Sequence, residues 1–217
     1  MDVAQWKDRL CSLPLIAILR GVSINEVQSV ANVLYKAGFR ALEIPMNSQN
    51  AVESIGFCIR ELGSEMLIGA GTVLTVEEVK KVTDVGCQFV VSPNTDSSVI
   101  KATKNAKMVS IPGTCTPSEA FSALENGADA LKLFPAELIR PQILKAWRAV
   151  LPKGIWLIPV GGIQPQSLGP YWRAGANGFG LGSALFKVEF SVTEIGDKAR
   201  AFVDRYRSDC GGDISKK

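Results

Sequence analysis

The sequence predicts an α/β protein of the (β/α)8 barrel class, on three observations. Eight short apolar runs recur at about 23 residues per unit, enough for one strand, one helix and two short loops. The stretches between them open on capping patterns and close on glycine. The runs are apolar almost throughout, as parallel strands covered on both faces must be. Strand and helix in alternation imply a parallel sheet with right-handed crossovers, and eight units suit closure into a ring. An open doubly wound sheet would need fewer units and a Gly-rich turn after the first strand, where the chain has Arg20-Gly21-Val22.

The elements follow in order. A leading helix, Ala4 to Ser12, is expected to cover one end of the barrel. The first run begins at Leu15 (LIAILR). The helix after it, Ser23 to Ala37, has Ser23 as N-cap, Glu26 in the capping-box place and Gly38 as stop. Runs two and three begin at Arg40 (RALEIP) and Met66 (MLIGAG). A helix over 75–85 opens on Thr75 and Glu78 and stops at Gly86. Runs four and five begin at Gln88 (QFVVSP) and Met108 (MVSIPG). Thr116 to Asn126 carries Pro117 at the first helical position, Glu119 three residues after the cap, and Gly127 as stop. The last three runs begin at Ala130 (ALKLFP), Trp156 (WLIPVGG) and Asn177 (NGFGLGS), with Ala174-Gly175 closing the helix between the last two. One domain spans 1–217, and the tail 211–217 is expected to be disordered.

Bulk properties narrow the function. With 217 residues, 47% hydrophobic and 21% charged, the chain can bury a full core. A net charge of +3 without a basic block argues against nucleic acid as a partner. No run approaches a membrane span, and residues 1–9 are polar and amphipathic rather than signal-like, so no membrane role is expected. Five cysteines, Cys11, Cys58, Cys87, Cys115 and Cys210, show no CxxC spacing. Disulfides and a thiolate metal site are not expected, and a reducing cytoplasm fits. There is no histidine, which removes the commonest general base and the commonest metal ligand. Base and nucleophile must then come from Lys, Glu, Asp, Cys or Tyr.

In a barrel the chemistry belongs at the C-terminal strand ends. The polar residues there are Arg20, Glu43, Thr72, Asn94, Thr114 and Lys132. Lys132 lies inside an apolar strand, where an ammonium must be paired, lose its proton or react. The alternative is an outward lysine that snorkels between helices. Phe134 shares its face and Pro135 ends the strand, which favours the inward reading. Glu43 is again one charge in an apolar strand. It is either an acid/base or a structural partner of Lys132 or Arg20. Thr72 follows Gly69-Ala70-Gly71, whose glycines permit close approach. The last two runs end in Gly161-Gly162 and Gly182-Ser183, at the two strands after which this fold often binds phosphate, which favours a phosphate site; tight turns only are the alternative. Cys115 near the mouth is read as an inert thiol.

That set supports covalent chemistry. A free lysine, pKa about 10.4, is neutral in about one molecule in 2,500 at pH 7, and burial can bring it to about 7–8. Neutral lysine attacks a ketone to form a Schiff base, and the iminium accepts the electron pair when the neighbouring carbon–carbon bond breaks. Glu43 can move the protons, Arg20 and Thr72 can hold a carboxylate, and the glycine loops can hold a phosphate. The expectation is metal-free aldol cleavage of a phosphorylated keto acid.

LIAILRG, EIPMNS, IGAGTVL, VSPN, PGTCTPSE, ALKLFPAE, VGGI and GLGSAL, in that order from about Leu13 to Phe186, resemble the 2-keto-3-deoxy-6-phosphogluconate / 6-phosphogalactonate aldolase family. The resemblance implies a (β/α)8 barrel, a homotrimer, class I chemistry, and no cofactor beyond the covalent lysine Schiff base. It implies Lys132 as the Schiff-base lysine and Glu43 as proton carrier. Thr72 and Arg20 would contact the pyruvyl carboxylate, Phe134 would pack on the pyruvyl part, and Pro93 in VSPN would belong to the substrate-binding set. Gly161, Gly162, Gly182 and Ser183 would bind phosphate, and the products would be pyruvate and glyceraldehyde 3-phosphate. Gluconate-type members often read EVTLRT and TGGI. Here Asn47 stands at the arginine position and Val160 replaces the threonine, as in the 6-phosphogalactonate branch. The galactonate epimer is therefore the expected substrate, with the gluconate epimer or both as the alternative. A barrel resembling thiamin-phosphate synthase or a sugar-phosphate epimerase would lean on more strand-end carboxylates than Glu43. A non-catalytic scaffold would have been free to lose Lys132, Glu43 or Thr72.

Overall fold

The computed structural model describes residues 2–211. Within them the chain alternates parallel strands and helices. β1 (Leu15–Ile18), β2 (Ala41–Pro45), β3 (Leu67–Gly71), β4 (Phe89–Val91) and β5 (Val109–Ile111) pair in order, and β9 (Phe179–Leu181) pairs with β1, giving a six-stranded sheet. A second sheet holds β6 (Gly113–Thr114), β7 (Ala130–Leu133) and β8 (Trp156–Pro159). The expected parallel α/β fold is present, but as six and three strands rather than one ring of eight. The fifth run is split at Pro112, which has no N–H for a ladder. Hydrogen bonds still span that seam: the Asp129 and Lys132 amides donate to the Ser110 and Pro112 carbonyls at 3.0 and 2.9 Å. On the other side, Val160 bridges Gly180 of β9.

Burial along the strands alternates with period two between two cores. Ile16 and Ile18, Ala41, Leu67, Phe89 and Val91, Val109 and Ile111, Ala130, and Ile158 pack into one cluster. Their neighbours Leu15 and Ala17, Leu42 and Ile44, Ile68 and Ala70, Val90, Leu131, and Leu157 join the helices in the other. Glu43 is two residues on from Ala41 and Lys132 two on from Ala130, so both share the parity of the first cluster.

The leading helix α1 (Val3–Cys11) is capped by a reciprocal Asp2–Gln5 box. It buries Trp6 against Phe89 and Trp156, in edge-on contacts with centroids 6.2 and 5.4 Å apart. Such pairs contribute about 0.5–1.5 kcal/mol each beyond area burial. The capping boxes read at Thr75–Glu78 and Thr116–Glu119 form, the second with Pro117 leading α6 (Pro117–Glu125). Ser23 behaves differently. The helix after β1, α2 (Val27–Ala37), begins only at Val27, and the Ser23 hydroxyl donates to the Glu26 carboxylate at 2.6 Å, so the two side chains satisfy each other instead of the helix amides. Gly38, Gly86, Gly127 and Gly175 follow their helices with φ of 112°, 84°, 99° and 108°, the left-handed geometry that closes a helix. Of the tail expected to be disordered, 212–217 lie outside the described residues.

Candidate active site

At the C-terminal ends of the strands a cavity of about 380 Å³ opens, in the range for small-molecule sites. Arg20, Glu43, Lys132, Phe134, Gly161, Gly162, Gly182 and Ser183 all line it. Eight of the ten residues given a catalytic or substrate-binding role from sequence therefore meet at one cavity, and Asn94 and Thr114 do not line it.

Lys132 is 5% exposed and Glu43 3%. The Lys132 ammonium lies 4.4 Å from the centroid of the Phe134 ring. Burial lowers its pKa from the ordinary lysine value, Glu43 opposes that shift and Arg20 reinforces it. Burial raises Glu43 from 4.5 to about 7, against the pull of Lys132 and Arg20. Both groups are thus moved toward the pH at which they exchange protons, a pattern of reactive sites. Oε2 of Glu43 has no hydrogen-bond partner among the described residues, an open position on a buried carboxylate.

Gly71 makes room for that carboxylate. A Cβ at Gly71 would lie 1.6 Å from Glu43 Oε2, and one at Gly69 2.3 Å from the Phe89 ring. The glycines of IGAG thus admit side chains from neighbouring strands. Gly71→Ala is expected to push Glu43 from its place and lower kcat by about 10²-fold, the scale of a lost acid/base. Steady-state rates check this, and wild-type turnover in a folded variant would remove the role given to Gly71.

Arg20 follows β1 at the rim. Its Nη1 donates to Asn47 Oδ1 at 2.6 Å and its Nη2 to Thr72 Oγ1 at 3.5 Å. Thr72 has a φ of 54°, unusual for a β-branched residue. It is not part of the cavity lining and meets the site through Arg20. Pro93 is not brought to the cavity. It stays half-buried, and its carbonyl backs onto Gly113, where a Cβ would approach to 2.3 Å. Sequence adjacency to a strand end placed Pro93 near the rim but could not give its direction.

Thr114 donates to the Lys132 carbonyl at 3.3 Å and so braces the strand. The Asn94 carbonyl accepts from the Gly113 amide at 3.2 Å. Cys115, half-buried, gives its amide to the Glu119 cap and stands outside the cavity. Gly161 and Gly162, with φ of 105° and 61°, turn the chain beside the Glu137 carboxylate. Nothing lies within 4 Å of a Cβ placed on Gly182, so that loop faces open space.

Lys187 and Glu189 also line the cavity, 3.7 Å apart, and were not singled out from sequence. They lie beyond the last run, where no strand-end argument reaches. Asn47 was read only as a missing arginine, yet it holds Arg20. Among the described residues no group of three or more Cys, Asp or Glu is placed to hold a metal ion, and no helix is long and apolar enough to cross a membrane.

Residues 7–201 match the aldolase family described as KDPG and KHG aldolase. The chain is 44% identical over 203 residues to the 2-dehydro-3-deoxy-6-phosphogalactonate aldolase of Escherichia coli, covering 94% of this chain and 98% of that one. It is 41% identical over 199 residues to the probable 2-dehydro-3-deoxy-6-phosphogalactonate aldolase of Rhizobium meliloti, covering 92% and 94%. A solved structure described as native KDPGal superposes with a TM-score of 0.90 at 44% identity, covering 92% of this chain and 97% of that one.

Proposed function

This chain belongs to the KDPG and KHG aldolase family, and from that premise we propose that it cleaves 2-dehydro-3-deoxy-6-phosphogalactonate to pyruvate and D-glyceraldehyde 3-phosphate through a Schiff base on Lys132. The observation that carries the reading is a buried lysine and a buried carboxylate, shifted toward each other's working range, in one cavity with Gly-rich loops.

Neutral Lys132 Nζ attacks the C2 ketone. Loss of water from the carbinolamine, with Glu43 giving the proton, leaves an iminium. Glu43 as carboxylate then takes the proton of the C4 hydroxyl. The C3–C4 bond breaks, its electron pair moves into the iminium, and glyceraldehyde 3-phosphate leaves. The enamine takes a proton at C3 from Glu43, and water releases pyruvate. A carboxyl with a pKa of about 7 can both give and take protons at neutral pH. Arg20 would hold the C1 carboxylate with its remaining donors, and Phe134 would pack on the pyruvyl carbons. Gly161, Gly162, Gly182 and Ser183 would bind the phosphate through backbone amides and a hydroxyl. Thr72 would act through Arg20. The reading uses no metal and no dissociable cofactor.

The galactonate epimer is favoured by the names of the two curated relatives at 44% and 41% identity, and by Val160 and Asn47. A hydroxyl-reading site can reject the wrong C4 epimer strongly, whereas an apolar wall discriminates by about 10–200-fold. The proposal also takes the two sheets as one functional (β/α)8 barrel closed across the seam hydrogen bonds, and the protein as a cytoplasmic homotrimer. The trimer rests on family membership alone.

Incubation with pyruvate and borohydride, then peptide mass mapping, tests the mechanism. A reduced pyruvyl adduct on Lys132 is the expected result. A folded protein with no adduct on any lysine would remove the Schiff-base reading. Comparing kcat/KM for the two C4 epimers then decides the substrate.

A further inference from the structure

We propose that Asn47 is a positioning residue for substrate-carboxylate binding, acting by holding the Arg20 guanidinium in place at the rim. The proposal rests on the reading of Arg20 as the carboxylate's partner. Its own ground is a cross-braced set of three loops. Arg20 Nη1 donates to Asn47 Oδ1 at 2.6 Å. A guanidinium only donates, so the amide orientation of Asn47 is set by chemistry: its oxygen must face Arg20. The next residues are tied as well, with the Gly21 amide donating to the Ser48 hydroxyl at 2.8 Å.

Asn47 itself is held by its neighbours' backbone. The Met46 amide donates to the Gly71 carbonyl at 2.7 Å and the Ser48 amide to the Pro45 carbonyl at 2.9 Å. The Met46 bond joins the loop after β2 to the end of β3, immediately before Thr72. Thr72 Oγ1 in turn takes the second guanidinium branch at 3.5 Å. An exposed arginine with several free torsions is thereby gripped at both terminal nitrogens from two anchored loops.

The consequence is a division of labour. Two of the five guanidinium donors are spent on Asn47 and Thr72, and the others remain for a carboxylate in fixed orientation. Preorganisation of this kind acts on binding of the carboxylate end and not on the bond-breaking step, because it is present equally before and during cleavage. Losing it should raise KM with little change in kcat.

The test is a cycle of Asn47→Leu, Arg20→Ala and the double variant, read as KM and kcat on the cleaved substrate. Asn47→Leu keeps the size and removes the acceptor. It is expected to raise KM about tenfold, with kcat within about threefold of wild type. Arg20→Ala is expected to raise KM about ten- to hundredfold. In the Arg20→Ala background, Asn47→Leu should add nothing further. If Arg20→Ala leaves KM unchanged, the carboxylate role of Arg20 fails and this proposal with it. If Arg20→Ala raises KM but Asn47→Leu does not, the positioning role alone is overturned. If Asn47→Leu costs tenfold in both backgrounds, Asn47 acts on the substrate itself and not through Arg20.

Discussion

Lys132→Met is expected to lower kcat by on the order of 10⁴-fold or more while leaving the fold intact, because it removes the nucleophile and keeps the buried stem. Single-turnover assays on the purified variant measure this, and cleavage near the wild-type rate would end the covalent mechanism. Stability should move the other way. The folded-state pKa of Lys132 lies below its ordinary value, with burial as the main cause. The unfolded chain therefore binds more protons at this site between the two values, and the ammonium costs folding free energy at neutral pH that vanishes as pH rises toward the ordinary lysine value. Methionine carries no such charge and fills irregular space well. Thermal unfolding at pH 7 should show the inactive variant at least as stable as the wild type. A protein both inactive and markedly less stable would point to a structural lysine.

Glu43→Gln is expected to slow turnover by about 10²–10⁴-fold, the loss typical of a missing acid/base. A rate within a factor of two of wild type would reduce Glu43 to a spacer. The pH dependence gives a second readout. Glu43 titrates near 7 in the folded protein against 4.5 as the ordinary value. The folded state then holds the extra proton between those values. The stabilising contribution of the neutral carboxyl is complete below about 4.5 and is lost as pH rises through about 7, a change on the order of 3 kcal/mol. Glutamine stays neutral throughout. The wild type should lose stability relative to the variant between those pH values, and parallel stability curves would show that Glu43 is ionised in the folded protein at acid pH.

The two buried charges that line the cavity, Lys132 and Glu43, were legible because each is a lone charge in an apolar strand. That contrast needs no neighbours: burying an ion is costly enough that its position alone marks it. The glycine ends of runs seven and eight were legible for a similar reason, since the fold class assigns them a place. Arg20 and Asn47 were only half legible. Their bond spans 27 positions between two loops, and no local periodicity encodes such a pair. Thr72 and Pro93 show the limit of strand-end reasoning, which gives a residue's height on the fold but not its heading. The split of the fifth strand had a visible signal in Pro112, outweighed in the reading by the regular spacing of the runs. At Ser23 the residue types of a capping box were right, and a side-chain bond between them displaced the helix start by one turn.

The two-core alternation also makes the buried pair Glu43 and Lys132 a guard against misfolding. A parallel strand can slip by one position and still offer a plausible ladder, and each slip exchanges its two faces. In most strands here that exchange swaps one aliphatic residue for another, as Ala17 for Ile16 in β1 or Ile68 for Leu67 in β3, and penalises little. In β2 and β7 it would drive a carboxylate and an ammonium into the helix-facing layer, among Ile44 and Leu133, far from each other's charge. Only the observed parity brings the two side chains into one another's field. The same two buried charges to which the proposed mechanism assigns the chemistry therefore also make the wrong threading of these strands the expensive one.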